Sequence, residues 1–279
     1  MKIYYSYAFA IIKSIKTYTN MKIPFVKMHG NGNDFVIIDN IKQNFKKNVT
    51  LIKRLANRRI GIGCDQLILI EQSEKYDAFM RIYNNDGSEA EMCGNAARCV
   101  ASLLMAGNKK TEIRIETISS ILNASLKKDN EICIRMAIPE QNLKNIVKNN
   151  YTKIINLEAV NPLLKEGHVI NMGNPHIVFF TKSLDLINLN KYGKSIQTHD
   201  AFLNGINVEI VEILTPSSLK LKFWERGAGE TLSCGSGILA ASYASFIYKK
   251  CSDSIKISLP IGSVRVNIKE NELEIIGAA

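Results

Sequence analysis

Two cysteine-containing stretches of the sequence share one pattern of residue types. They read RIYNNDGSEAEMCGNAARC over 81–99 and KFWERGAGETLSCGSGILA over 222–240. In each stretch an apolar, strand-like run leads through a polar turn and a glutamate to a cysteine, a glycine and a helix-like apolar run. The pattern therefore places Cys93 and Cys234 each immediately before a helix.

A cysteine at that position suits acid–base chemistry. The unpaired backbone N–H groups and the positive end of the helix dipole stabilise a thiolate, so we expect the pKa values of both thiols to fall into the working range. Gly94-Asn95 and Gly235-Ser236 open the same helices and predict a backbone cradle for a carboxylate. Two such thiols facing one carbon would remove a proton from one side and deliver one to the other, which inverts the configuration.

The pattern belongs to an internal repeat. Cys93 and Cys234 are 141 positions apart, and the same offset aligns further residues of similar type. It pairs Gly32-Asn33 with Gly173-Asn174, Gln66 with Asn207, 81–84 with 222–225, and Glu89 with Glu230. The repeat predicts two similar halves, 21–140 and 141–279, with residues 1–20 as an extension outside the fold.

The same coarse pattern of elements recurs in each half. Short β-branched runs predict strands at FVIID, QLILIE, FMRIY, EIRIET and EICIRMA in the first half, and at HIVFF, NVEIVEIL, LKLKFW, SIKISL and SVRVNI in the second. One long helix interrupts each set, the first ending near Gly107, and a shorter helix is predicted over 51–59. The predicted fold is α+β, with two pseudo-symmetric domains. Each is a mostly antiparallel sheet or barrel wrapped around a central helix, and the active site lies in the cleft between them.

Composition excludes several other classes. The formal net charge is +10, but the lysines are scattered and form no basic stripe, so we expect neither a nucleic-acid nor a membrane partner. The run from Ile3 to Ile12 is too short to span a bilayer. Six cysteines without a CxxC pair indicate reduced thiols in the cytoplasm and no metal site. The GNG and GIG sequences lack the third glycine of a dinucleotide fingerprint.

Six motifs, in order from Lys27 to Gly237, carry a family resemblance. They are KMHGNGNDFVIID, GCDQLILIE, NNDGSEAEMCGNAARC, NMGNPHIVFF, NGINVEIV and WERGAGETLSCGSG. Through them the sequence resembles the diaminopimelate epimerases, which are amino-acid epimerases that need no cofactor. The resemblance implies an isomerase that converts LL-2,6-diaminopimelate to the meso isomer, in lysine and peptidoglycan precursor biosynthesis, without pyridoxal phosphate or metal.

The resemblance also implies roles for individual residues. Cys93 and Cys234 would be the two acid–base thiols, and His176 and Glu225 would modulate their pKa values. The residues implied to bind substrate are Asn33, Gln66, Asn84, Gly94, Asn95, Asn174, Asn207, Glu225, Arg226, Gly235 and Ser236. An Arg fork and neutral amides suit a substrate with two carboxylates and two ammonium groups. A homodimer is the expected assembly.

Two alternatives stay open at this point. One is a related cofactor-independent racemase or epimerase, for example one acting on proline, although such a substrate has no second charged end for Arg226 and Asn207 to bind. The other is a redox-sensing binding module in which Cys93 and Cys234 form a reversible disulfide.

Overall fold

The computed structural model describes residues 11–16 and 22–279, and these form two compact units. The first unit contains the residues up to Ile134 together with Gly277–Ala279, and the second contains Arg135–Ile276. The α+β class is confirmed, since strands dominate and four α-helices interrupt them in the described residues. The domain boundaries at 20 and 140 stay predictions. Within the described residues, every helix is too short or too polar to cross a membrane.

The elements follow one another along the chain in a repeated order. As far as Ala137 they are β1 (Ile11–Lys16), β2 (Lys22–Gly30), β3 (Asn33–Asp39), α1 (Val49–Ala56), β4 (Gln66–Glu71), β5 (Ala78–Asn84), β6 (Glu89–Ala90), α2 (Gly94–Asn108), β7 (Glu112–Glu116), β8 (Ile121–Leu126) and β9 (Ile132–Ala137). After it come β10 (Ile154–Ile155), β11 (Gly167–Asn171), β12 (Pro175–Thr181), α3 (Leu189–Gln197), β13 (Asn207–Thr215), β14 (Ser218–Glu225), β15 (Gly229–Thr231), α4 (Gly235–Lys249), β16 (Ser254–Ser258), β17 (Ser263–Ile268) and β18 (Glu272–Gly277). Short 3-10 turns cover Lys128–Asn130 and Leu184–Leu186.

In the first unit the sheet encloses α2. β3 pairs antiparallel with β2 and parallel with β4, and β4 pairs antiparallel with β5. β5 pairs antiparallel with β6 and parallel with β7, which continues antiparallel into β8. The helix α2 packs against β2, β3, β7 and β8. Its residues from Gly94 to Ala101 are all buried, as expected for a helix at the centre of a unit.

The second unit repeats this pairing in register. β12 and β13 are parallel with His176 opposite Asn207, as β3 and β4 are parallel with Phe35 opposite Gln66. Both pairs of positions differ by 141, so the sequence repeat is also a repeat of strand pairing. The helix α4 packs against β11, β12, β13 and β17 and is buried over its first turns.

Each sheet buries both faces, because a second helix covers the side away from the central one. In the first unit Val36, Ile38, Leu67 and Leu69 pack in one cluster with Ile52 of α1. Since alternate strand residues point to opposite faces, Phe35 and Ile68 lie on the other face. In the second unit alternate residues of β12 and β13, including Ile177 and Val208, pack with Leu189 and Ile196 of α3.

The helix α3 was not predicted from the sequence, and α1 is shorter than predicted. Both are capped by an asparagine side chain, Asn48 in α1 and Asn188 in α3. α1 ends at Ala56 because the backbone of Asn57 is extended, with φ −66° and ψ 123°. Shifting α1 by 141 positions gives residues 190–197, so the repeat contained the signal for α3.

Part of the predicted N-terminal extension has defined backbone structure. The strand β1 pairs antiparallel with β2, with Ile11 opposite Lys27 and Lys16 opposite Lys22. The rest of the range 1–20 lies outside the described residues. Whether the extension belongs to the native fold therefore stays a prediction.

The predicted end of α2 at Gly107 is wrong. Gly107 lies inside the helix, which ends at Asn108 and is capped by Lys109 in the left-handed conformation, with φ 53° and ψ 38°. The helix α4 ends in the same way at Lys250, with φ 55° and ψ 35°. A lysine accepts this conformation at both ends, although glycine is the usual residue there.

Gly107→Ala should stabilise the protein. A Cβ at this position meets nothing within 4 Å, and alanine loses less backbone entropy in a helix than glycine. The expected gain in the free energy of unfolding is roughly 0.5–1 kcal/mol, measured by urea denaturation. Gly61→Ala is the matched control, because its Cβ would lie 2.0 Å from the carbonyl oxygen of Arg54. Stabilisation by both substitutions, or by neither, would contradict this assignment.

Candidate active site

Cys93 is the N-cap of α2, as the sequence predicts. The chain leaves β6 and enters the helix through an extended residue, with φ −148° and ψ 108° at Cys93. The Cys93 sulfur accepts a hydrogen bond from the backbone N–H of Ala96 at 3.5 Å. The side chain is nearly buried. The sulfur is therefore held at the positive end of a buried helix.

Asn33 and Asn95 lie beside this sulfur. The Oδ1 atom of Asn33 is 3.6 Å from Cys93 Sγ and accepts a hydrogen bond from Asn95 Nδ2 at 3.4 Å. Its Nδ2 donates to Asp65 Oδ2 at 3.0 Å. Asp65 thus fixes the orientation of the Asn33 amide, so that the oxygen faces the thiol.

A charged cluster holds Asp65 in place. Arg58 donates to Asp34 and Asp65, each at 2.7 Å, and Lys27 pairs with Asp34 at 2.7 Å. Burial alone would raise the pKa of Asp34, but the hydrogen bonds from Arg58 and Lys27 hold that pKa well below its usual range. The cluster contains two cations and two carboxylates, so its formal charges cancel.

Gln66 and Asn84 form a second polar pair in the first unit. Gln66 Nε2 donates to Asn84 Oδ1 at 3.0 Å, and Asn84 Nδ2 donates to Ser88 Oγ at 3.1 Å. The buried Oε1 of Gln66 has no hydrogen-bond partner among the described residues. A buried amide oxygen without a partner is costly, so it is suited to accept from a bound ligand.

Arg98 is a functional candidate that the sequence reasoning missed. It is fully buried in α2, where its Nη2 donates to Asn31 Oδ1 at 2.6 Å and to Asn95 Oδ1 at 3.0 Å. Its Nε donates to the carbonyl oxygen of Ala278 at 3.1 Å. Nothing in the sequence singles out Arg98, because it lies in a run that otherwise predicts an apolar helix.

Cys234 is the N-cap of α4 and occupies the equivalent position in the second unit. Its sulfur accepts a hydrogen bond from the backbone N–H of Gly237 at 3.4 Å and lies 3.6 Å from Ser236 Oγ. Its backbone is extended, with φ −125° and ψ 116°. The prediction that both cysteines begin a helix is therefore confirmed.

A chain of hydrogen bonds runs from Ser236 into the core of the second unit. Asn174 Nδ2 donates to Ser236 Oγ at 3.2 Å, and Asn174 Oδ1 lies 3.0 Å from His176 Nε2. His176 Nδ1 lies 2.8 Å from Glu209 Oε1, and both side chains are fully buried. Each His176 nitrogen therefore faces an oxygen, and the ring is held between Asn174 and Glu209.

Glu209 is a second residue that sequence reasoning missed. It lies in the middle of β13, where an alternating strand pattern suggests a solvent-facing carboxylate. The structure instead turns it toward α4, so that its Oε1 would be 2.4 Å from a Cβ at Gly237. Only glycine fits at this place in the helix.

The expected low pKa of Cys234 is wrong. Burial raises the pKa of this thiol, and the carboxylates of Glu225 and Glu209 raise it further, although bonds from Ser236 and Gly237 act in the opposite direction. Burial also raises the pKa of Glu225, whose carboxylate accepts a hydrogen bond from Thr231 Oγ1 at 2.5 Å. Desolvation and like charge therefore outweigh the helix N-terminus in the second unit.

Asn207 and Arg226 form a turn at the end of the central strands of the second unit. Asn207 Nδ2 donates to the carbonyl oxygen of Pro175 at 2.9 Å, and its Oδ1 accepts from the backbone N–H of Arg226 at 2.8 Å. Arg226 Nη1 donates to the carbonyl oxygen of Asn204 at 3.4 Å. Asn207 thus fixes the backbone of Arg226 at this turn.

Similarity to solved structures gives the class of fold. The chain resembles a phenazine biosynthesis protein of the PhzF family from Enterococcus faecalis, with a TM-score of 0.62 and 13% identity, over 98% of this chain and 95% of that one. It resembles a hydroxyproline epimerase from Agrobacterium vitis with the same TM-score and identity, over 90% and 86% of the two chains. The protein therefore has the α+β fold of the PhzF and proline racemase type of structure.

Sequence similarity gives the family. The family model for diaminopimelate epimerase matches residues 25–140 and 168–278. A diaminopimelate epimerase from Carboxydothermus hydrogenoformans is 44% identical over 87% of this chain and 91% of its own length. One from Legionella pneumophila is 36% identical over 88% and 90%. The chain belongs to the diaminopimelate epimerase family.

Arg58→Gln tests the charged cluster that holds Asp65. Because Arg58 is more than half exposed, we expect the substitution to lower the free energy of unfolding at neutral pH by about 1 kcal/mol at most. The pKa of Asp34 is lowered on folding, so this contribution is present above the ordinary carboxyl value of 3.8 and is lost as the pH falls below it.

The free energy of unfolding is measured by urea denaturation at neutral pH, where Asp34 is ionised, and well below pH 3, where its contribution is being lost. The neighbouring exposed Arg59→Gln is the control and should change little at either pH. A loss at Arg58 that is independent of pH, or equal losses for the two arginines, would contradict the role of Asp34.

Proposed function

We propose that this protein interconverts LL-2,6-diaminopimelate and meso-2,6-diaminopimelate. Family membership and the named relatives support this substrate. The observation that carries the mechanism is the pair of cysteines, each capping a buried central helix at equivalent positions of the repeat. An isomerase that inverts a carbon with two bases needs two such groups, whereas an enzyme that uses one reactive thiol would need only one.

In this mechanism the two thiols act on opposite sides of one α-carbon. A thiolate removes the α-proton and becomes a thiol, while the other cysteine delivers its proton to the opposite face and becomes a thiolate. One C–H bond breaks and one forms, so the substrate gains and loses no atoms other than the exchanged hydrogen. The reverse reaction exchanges the roles of Cys93 and Cys234.

The helix N-termini would lower the barrier to proton removal. An α-proton beside a carboxylate is a much weaker acid than a thiol, so the negative charge that develops on the carboxylate must be stabilised. The backbone N–H groups that begin α2 and α4, at Gly94-Asn95 and Gly235-Ser236, are the donors proposed for it. Such donors are strongest where water is excluded.

The remaining predicted residues would orient the substrate. Asn33 and the unpaired Oε1 of Gln66 are the groups proposed beside the reacting carbon. Asn84, Asn174, Asn207 and Arg226 are proposed to bind the rest of the substrate, including the amino-acid end that does not react. His176 and Glu225 would act on the Cys234 thiol, and burial together with the negative charge of Glu225 raises the pKa of that thiol.

We propose a cytoplasmic enzyme of lysine and peptidoglycan precursor biosynthesis that requires neither pyridoxal phosphate nor a metal. Its partner is the small-molecule substrate, with a homodimer as the assembly and no nucleic acid or membrane partner. Reduced thiols are typical of cytoplasmic proteins, and all six cysteines are free thiols in the structure.

Solvent exchange tests the reaction directly. Reduced protein is incubated with LL-diaminopimelate in heavy water, and the products are separated by stereoisomer and analysed by mass spectrometry. We expect deuterium at one α-carbon and a mixture of LL and meso isomers. Absence of both would overturn the proposal and favour the redox-sensing module. Exchange of proline but not of diaminopimelate would favour the related racemase.

Substitution of the thiols tests their roles. Cys93→Ala and Cys234→Ala should each lower kcat for epimerisation by at least about 100-fold, the scale of a lost general acid or base. Serine variants should recover little of this, because a hydroxyl is a much weaker acid than a thiol. Cys251→Ala, at a buried cysteine outside the proposed site, is the control and should stay active. Near-normal turnover of either serine variant would refute the two-thiol mechanism.

Oxidation gives an independent check. If the two thiols act on one carbon, a mild oxidant should join them in a disulfide and abolish activity, and a reductant should restore it. Peptide mapping by mass spectrometry would identify a cross-link between Cys93 and Cys234. Full activity under oxidising conditions, or inactivation without this cross-link, would count against their acting together.

A further inference from the structure

The two cysteine caps have the same backbone geometry but opposite electrostatic surroundings. The offset of 141 places Arg98 of the first unit at the position of Leu239 in the second, and both side chains are fully buried. It places Asn84 at the position of Glu225. A cation in one unit and a carboxylate in the other have therefore each been replaced by a neutral residue in the opposite unit.

The central strands beneath the helices differ in the same way. Phe35 and Ile68 of the first unit are paired by the offset with His176 and Glu209 of the second, and all four side chains are fully buried. The first unit is apolar here. The second contains the Glu209 carboxylate, whose Oε1 faces His176 Nδ1 and whose Oε2 has no hydrogen-bond partner among the described residues. Among the described residues Glu209 has His176 at 2.8 Å, whereas no cation forms an ion pair with Glu225.

In the first unit the buried cation lacks an anionic partner. Within the described part of the chain no carboxylate pairs with Arg98, whose three bonds all go to amide oxygens and whose Nη1 is buried without a partner. A buried guanidinium without a counter-ion is destabilising, because the charge has lost its hydration. The groups whose negative charge acts on it are the thiols of Cys99 and Cys93. Burial raises the pKa of Cys99 to about 12, so this thiol stays neutral. Cys93 is then the group whose negative charge can balance the Arg98 guanidinium.

A row of amides connects the cation to the Cys93 cap. Arg98 Nη2 donates to Asn95 Oδ1, and Asn95 Nδ2 donates to Asn33 Oδ1 beside Cys93 Sγ. Asn33 Oδ1 therefore keeps a donor when the thiol loses its proton, and the sulfur keeps the N–H of Ala96. The formal charges beyond Asn33, on Lys27, Asp34, Arg58 and Asp65, cancel one another, so this cluster adds no net charge beside the row of amides.

We propose that Cys93 is the thiolate and Cys234 the thiol before substrate binds, and that Arg98 is the positioning residue that holds the negative charge at Cys93. This inference deepens the proposed function and rests on it for its catalytic meaning. The Cys93 thiolate takes the α-proton of the LL isomer and Cys234 gives its proton to the opposite face. The enzyme is then left with its charge on Cys234, beside Glu225, and must return a proton to that sulfur before the next turnover in the same direction.

Alkylation of the resting enzyme tests the assignment without substrate. Iodoacetamide reacts with thiolates, and mass spectrometry of the Cys93 and Cys234 peptides gives a rate for each as a function of pH. The midpoints of the two profiles are compared rather than the rates, because the two sulfurs differ in access. We expect the Cys93 midpoint to be lower than that of Cys234 by at least about one pH unit.

Substitutions identify the residues responsible. Arg98→Met should slow alkylation of Cys93 at neutral pH by roughly tenfold, the equivalent of one pKa unit, and Arg98→Lys should restore most of the rate. Glu225→Gln should speed alkylation of Cys234 by a similar factor and leave Cys93 unchanged. Leu239→Met, at the position equivalent to Arg98, is the control and should move neither midpoint.

Three results would overturn the inference: a lower midpoint for Cys234 in the unaltered protein, an unchanged Cys93 midpoint in a folded Arg98→Met variant, or equal effects of Arg98→Met on both thiols. If Arg98→Met does not fold, the unaltered protein and Glu225→Gln still decide the order of the two midpoints. The exchange experiment with diaminopimelate separates this inference from the proposed function. A lower midpoint for Cys93 than for Cys234 without epimerisation would contradict the proposed function alone. Epimerisation with a lower midpoint for Cys234 would contradict this inference alone.

Discussion

The hydrogen bond from the third helical N–H to the cysteine sulfur is the constraint on which each unit depends. It fixes the sulfur at the start of a helix that is buried on nearly all sides, at 3.5 Å from Ala96 N and 3.4 Å from Gly237 N. The sheet must then close around an apolar helix, and the polar residues that serve the sulfur must come from the ends of the strands that touch it. Asn33 and Asn174 begin or precede such strands, so the position of the reactive group follows from how the core is packed.

The repeat made much of this predictable. Strand positions, the two cysteine caps and the alignment of Asn33 with Asn174 follow from alternating apolar runs and one constant offset. The structure adds that the parallel strands share this register, with Phe35 opposite Gln66 and His176 opposite Asn207. The helix α3 escaped prediction only because its own sequence, LNKYGKSIQ, is a weak helical pattern with a glycine in it.

Other features could not be read from sequence, because burial in three dimensions decides them. Arg98 is an arginine in an otherwise apolar helix, where the sequence does not say whether it faces solvent, and it is fully buried because α2 packs against β2, β3, β7 and β8. Glu209 follows the same logic in a strand. The low pKa expected of Cys234 is wrong for a related reason, because a helix N-terminus is a local effect whereas desolvation and the approach of Glu225 and Glu209 depend on how the whole unit packs. A duplicated scaffold thus supplies matched geometry, and single substitutions within it make the two halves chemically unequal.

The carbonyl that receives Arg98 Nε belongs to Ala278, and residues 277–279 are grouped with the first unit although the second lies between them in the chain. Synthesis on the ribosome proceeds from the N-terminus, and domains usually fold in that order. Here the N-terminal unit lacks residues 277–279 until the second unit has been translated, so the environment of Asn95 and Arg98 is completed only after it. A nascent chain would therefore carry Cys93 in an unfinished setting, and a product truncated before residue 277 would never assemble it.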